Sequence, residues 1–91
     1  MKRPYTDNQF KVLEAAFRGV GVFGIETRRA KTRAINDMVA ARLIYSGYGK
    51  PELTRAGLVA YVDMCERRDA DSGCIAFQHR AAEARAALMA A

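Results

Sequence analysis

The sequence predicts one small, mainly α-helical domain carrying a single short β-hairpin. Apolar residues recur at helical spacing in four separate stretches. One segment, Ser46-Gly47-Tyr48-Gly49-Lys50-Pro51, is dense in turn formers and lies between short apolar arms. At 91 residues and 51% hydrophobic content, the chain has material for one core and no more. With four Phe, four Tyr and no Trp, that core is thin and aliphatic.

The first helix is predicted over residues 6 to 18. Thr6-Asp7-Asn8-Gln9 reads as a capping box, and Phe10, Leu13, Ala16 and Phe17 follow at helical spacing. Gly19, Gly21 and Gly24 then interrupt the pattern, each costing roughly 1 kcal/mol inside a helix. Val20, Val22 and Phe23 alternate between them, which predicts a short strand that could pair with the hairpin.

From Glu26 or Thr27 to about Tyr45 there is neither Gly nor Pro. Ile35, Met38, Val39 and Leu43 form one apolar stripe, with Arg29, Arg33, Asn36 and Ala40 on the opposite face. Thr27 suits the N-cap of a continuous helix, and Thr32 that of a shorter one. Leu43-Ile44-Tyr45 and Glu52-Leu53 are the predicted hairpin arms. Thr54 caps a third helix ending near Arg68, and Asp69 to Gly73 reads as a polar linker. A last helix, over about 74 to 90, carries Ile75, Ala82 and Met89 at sevenfold spacing, with Phe77, Ala81 and Leu88 beside them.

The net charge of +5 is unevenly placed. Residues 1 to 62 carry eleven bases against five acids, a net +6, whereas 63 to 91 carry four against five, a net −1. Within the first part, Thr27 to Arg33 holds four bases and no acid. A localised excess of this kind points to a polyanionic partner. Two cysteines and a single His fall short of a four-ligand zinc site, and no metal or cofactor is expected. Cys65 and Cys74 read as reduced thiols of a cytoplasmic protein. No secretory segment is expected, and no apolar run approaches the roughly 20 residues needed to span a bilayer. The sequence shows no paired-carboxylate motif, no nucleophile–His grouping and no P-loop, so an enzyme is not expected.

Three phrases, QFKVLEAAF, INDMVAARLIYSG and ELTRAGLVAY, together resemble the MarR-like winged helix-turn-helix pattern, in the compact form met among small phage and mobile-element proteins. The likeness covers about residues 6 to 65. It is carried by Leu43-Ile44 at the end of the second helix and by Leu53-Thr54-Arg55-Ala56-Gly57 after the hairpin. It departs from that pattern in leaving only about eight residues where a second helix should precede the recognition helix. The resemblance implies a winged-helix-like domain over 1–68, with 69–91 as linker and an extra C-terminal helix for packing or dimerisation.

By the same resemblance, the helix around residues 31 to 43 would enter a major groove of double-stranded DNA in a small transcriptional regulator. Arg33 and Asn36 are residue types that pair with guanine and adenine edges. Arg28, Arg29 and Lys31, with Thr32 on the same turn, would hold phosphates, and Tyr48 and Lys50 would reach the backbone from the wing. A homodimer through residues 74–90 would present two such helices. The alternative is a protein–protein interaction module on the same scaffold, such as a phage-encoded inhibitor of a host protein. Exposure of Arg29, Arg33 and Asn36 on one convex face, with Lys50 on the same side, discriminates between them.

Overall fold

The computed structural model describes residues 5–45 and 51–90. They form four helices: α1 (Asp7–Arg18), α2 (Arg28–Ala40), α3 (Arg55–Ser72) and α4 (Ile75–Ala90). The longest, α3, packs against both α1 and α4, while α2 lies against α1.

The helix starts are set by side chains that the sequence supplies. Thr6 Oγ1 accepts from the Gln9 amide at 3.2 Å, and the Gln9 side chain accepts from the Thr6 amide at 3.0 Å, closing the capping box of α1. Thr27 caps α2 through the Ala30 amide, and Thr54 caps α3 through the Gly57 amide. At the far end of α1, Gly19 adopts φ 69°, the left-handed geometry that releases the chain from the helix.

The core is one cluster. Val12, Leu13, Tyr61, Cys65, Ala81 and Ala84 are wholly excluded from solvent, with Phe10, Met38, Leu43 and Ile44 packed around them. Tyr61 is stacked between Phe10 and Phe17, at ring-centroid distances of 5.8 and 4.8 Å. Each fully buried aliphatic side chain contributes about 1.5–3 kcal/mol.

The predicted wing is corrected. Among the described residues there is no strand and no sheet, and the protein is all-helical. Ile44 and Leu53 make one isolated antiparallel bridge, flanked by Tyr45 N–H to Glu52 C=O at 2.9 Å and Thr54 N–H to Leu43 C=O at 3.1 Å. Among the described residues the pairing is confined to this bridge, with Leu43 and Ile44 both turned into the core instead of alternating along a ribbon. The turn residues 46–50 lie outside the described residues, so the expectation for the tip falls there. The strand expected across Val20 to Phe23 is likewise a loop, because Val22 is drawn into the helical core and no neighbouring strand exists to pair with it.

The Leu53-Thr54-Arg55-Ala56-Gly57 phrase has a different structural meaning from a wing turn. Thr54 Oγ1 donates to the Arg42 carbonyl at 2.8 Å while accepting from Gly57, tying the exit of α2 to the start of α3. Gly57 is buried against that exit, and a Cβ there would run into the Leu43 carbonyl oxygen. The phrase fixes a helix–helix junction.

Two further boundaries moved. The second helix begins at Arg28, after the Thr27 cap, and ends at Ala40, not at about residue 43, because Arg42 takes φ 60° and the Arg42 and Leu43 amides return to Val39 and Met38. Helix α3 runs through the expected linker to Ser72, since no Gly or Pro intervenes before Gly73, where φ is 61°.

Candidate nucleic-acid interface

Helix α2 divides into an inward and an outward half. Ala34 and Met38 are buried, with Ala30, Lys31 and Ile35 at the margin. Val39, expected in the apolar stripe, is instead exposed. On the outward half, Arg28, Arg29, Thr32, Arg33 and Asn36 line one shallow cleft together with Asp37. Five of the eight residues expected at the site are therefore brought together. Lys31 sits half-buried at the edge of this face, and Tyr48 and Lys50 lie outside the described residues.

A second groove runs between α2 and the start of α1. Arg29 and Arg33 form one wall, with Asn8 and Gln9 opposite. The two arginines thus face both grooves, one helical turn apart. Asp37 reaches both as well and is the acid among these residues.

The electrostatics of α2 differ from those of the other helices. Among the described residues, Arg28, Arg29, Lys31 and Arg33 make no ion pair and no side-chain hydrogen bond. The first turn of α2 contains no acid, so its positive dipole end and its arginines add. Four arginines of α3 and α4 are engaged instead: Arg68 with Asp7 at 2.7 Å, Arg80 with Glu14 at 2.8 Å, Arg67 with Asp63 at 2.9 Å, and Arg85 with Glu66 at 3.0 Å. Arg18 bonds Glu83 at 3.3 Å.

Sequence reasoning did not single out Arg42 and Arg55. Both are exposed and unpaired, and the Thr54 bond to the Arg42 carbonyl brings the exit of α2 to the residue preceding Arg55. Their signal was present in the charge count, but nothing in the spacing joined them.

Among the described residues, no three His, Cys, Asp or Glu side chains converge to hold a metal ion. Two perturbed groups lie in the core: burial pushes the Tyr61 phenol far above its ordinary range and the Cys65 thiol upward. No described helix is long and apolar enough to cross a membrane. The chain matches no known protein family, and no curated protein or solved structure proves similar to it.

Proposed function

We propose that the protein binds double-stranded DNA through the outward face of α2, as a small regulator of transcription. The observation that carries this reading is the set of solvent-facing bases Arg28, Arg29 and Arg33, none neutralised by a carboxylate. A guanidinium left without an internal partner is available to phosphate, and counterion release from the duplex drives such contacts. With 13 residues, α2 is about 20 Å long, enough to lie in a major groove.

Within this reading Arg28, Arg29 and Lys31 hold phosphates, and Arg33 and Asn36 face base edges. Docking relies on one helix face and its N-terminus, without a wing. Exposure of Arg29, Arg33 and Asn36 on one face supports DNA over a protein partner, while Lys50, the other half of that criterion, lies outside the described residues. A homodimer through α4 belongs to the same reading, supported by the exposure of Ile75 and Met89 (67% and 87%), which leaves that stripe uncovered. Sedimentation velocity at micromolar concentration tests it, with Met89→Glu expected to shift any dimer to monomer.

Fluorescence anisotropy of a labelled random 30-base-pair duplex tests the function itself. Four to six phosphate contacts give a log–log salt slope of roughly −4 to −5. Selection from a randomised duplex pool then asks whether Arg33 and Asn36 read sequence. No binding at 50 mM salt overturns the proposal.

A further inference from the structure

The loop between α1 and α2 inverts the usual order of burial. Val22 is 4% exposed, whereas the larger Phe23 beside it is 79% exposed. Burial normally favours the larger apolar side chain, so this loop keeps its aromatic in water while burying the smaller valine.

The loop presents this ring by construction. Val22 is anchored in the core on one side of Phe23, and Ile25 packs against the core on the other. Gly24, at φ 82°, makes the turn between them, and its carbonyl accepts from Lys11 Nζ at 2.7 Å. The Phe23 ring lies over Gly21, with ring carbons 3.5 and 3.6 Å from where a Cβ would stand. Backbone, glycine and lysine together hold the ring outward.

Its surroundings select the occupant. Phe23 precedes the N-cap Thr27 by four residues and Arg28 by five, which places the ring's Cα within roughly 18 Å of the basic face. Between Gly19 and Arg33 the only acid is Glu26, against four unpaired bases. An apolar ring a few residues before a run of unneutralised positive charge fits a ligand that is anionic along its backbone and flat and aromatic beside it. A nucleobase out of its stack has both properties.

We infer that Phe23 stacks on an unstacked base of the nucleic acid held by α2, so that the preferred ligand is a duplex carrying an unpaired base. The inference rests on the reading of α2 as a DNA-binding face. Phosphates on Arg28 and Arg29 position the duplex, and Phe23 takes the base that the defect has already released. A fully paired duplex would have to unstack a base first, which weakens its binding.

The test compares two labelled 30-base-pair duplexes, one fully paired and one with a single bulged adenine, titrated with wild type and Phe23→Ala. Wild type is expected to bind the bulged duplex roughly tenfold to a hundredfold more tightly. Phe23→Ala, altered at an exposed position, is expected to melt as wild type does, to keep the salt slope, and to lose the preference. Because the chain has no Trp, Phe23→Trp supplies a single indole whose emission should be quenched by the bulged duplex. Equal preference in wild type and Phe23→Ala overturns the inference while leaving the function intact. So does a loss by the same factor on both duplexes, or an effect of Phe23→Ala on self-association alone. Binding to neither duplex overturns both.

Discussion

Arg33 and Arg80 both lie on helix surfaces, yet they sit in opposite electrostatic settings. Arg80 bonds Glu14 at 2.8 Å and lies 5.2 Å from the Phe77 ring centroid, whereas Arg33 faces two grooves with no partner among the described residues. The contrast holds for whole regions. Arg18, Arg67, Arg68, Arg80 and Arg85 join α1, α3 and α4 to one another or to their own helix, while the bases of α2 are left open. A net charge of +5 therefore combines two populations of base. A paired guanidinium must give up its carboxylate before it meets a phosphate, and an open one gives up only water and counterions.

The two regions are also held differently, and the largest expected effect exploits that. α3 and α4 share a broad apolar face, whereas α2 meets α3 through the junction at Leu43, Thr54 and Gly57. Gly57→Ala forces a side chain against a backbone carbonyl and should destabilise the protein by about 3 kcal/mol. Urea denaturation followed by circular dichroism measures it; an unchanged midpoint would mean that the junction is not the close approach described. The next effect is on binding. Arg29→Ala/Arg33→Ala should weaken duplex affinity by roughly thirtyfold or more and flatten the salt slope by about one unit, since Arg29 is the phosphate contact of the pair. Its melting temperature should stay near that of wild type, since neither side chain has an internal partner.

The basic face was legible in the sequence because charge and helical period suffice to define it. Thr6 and Thr54 were equally legible as caps, since capping depends on residues three apart in sequence, while Thr27 was one of two candidates beside Thr32. That the described residues hold no strand was not legible. Leu43-Ile44 and Leu53 look like hairpin arms locally, and only the burial of Leu43 and Ile44 in the core, with Leu53 packed against it, shows otherwise. The inward face of α4 was not legible for a related reason. Two sets of positions have heptad-like spacing, and the helix buries Ala81 and Ala84 rather than Ile75 and Met89. Small residues let α4 approach α3 closely, a preference that periodicity of large side chains does not register. Phe23 was read as half of an alternating strand, and its exposure follows from the anchoring of Val22 and Ile25.

A smaller effect marks the paired region. The Arg68 guanidinium lies 4.3 Å from the Phe10 ring centroid and bonds Asp7 at 2.7 Å, with its own side chain only 15% exposed. Arg68→Ala should cost about 1–2 kcal/mol of stability, mostly as lost packing and cation–π contact, and leave DNA affinity within a factor of two or three. A larger loss of affinity than of stability would blur the division between the regions.

The smallest expected effect lies in the core beneath both. The Tyr61 hydroxyl is buried without a hydrogen-bond partner. Tyr61→Phe should therefore be neutral or stabilise the protein by up to about 1 kcal/mol at pH 7. Burial raises the folded-state pKa of the phenol above its ordinary 10.0. The stability gained by keeping it neutral is fully present below pH 10 and is lost as the pH rises above that value. The advantage of Tyr61→Phe over wild type should accordingly grow between pH 9 and pH 11 in parallel thermal melts. A variant less stable than wild type at pH 7 would indicate a hydrogen bond to the hydroxyl.

The most direct test of the central claim is a charge-matched comparison. Arg29→Ala/Arg33→Ala and Arg80→Ala/Arg85→Ala each remove two positive charges, one pair open and one pair engaged with Glu14 and Glu66. Duplex affinity of both variants and of wild type is measured by anisotropy from 50 to 200 mM salt. The α2 variant should lose affinity at least tenfold more than the α4 variant, and it alone should lose about one unit of salt slope. Equal losses in the two variants would contradict the account, because net charge rather than the open face of α2 would then govern binding.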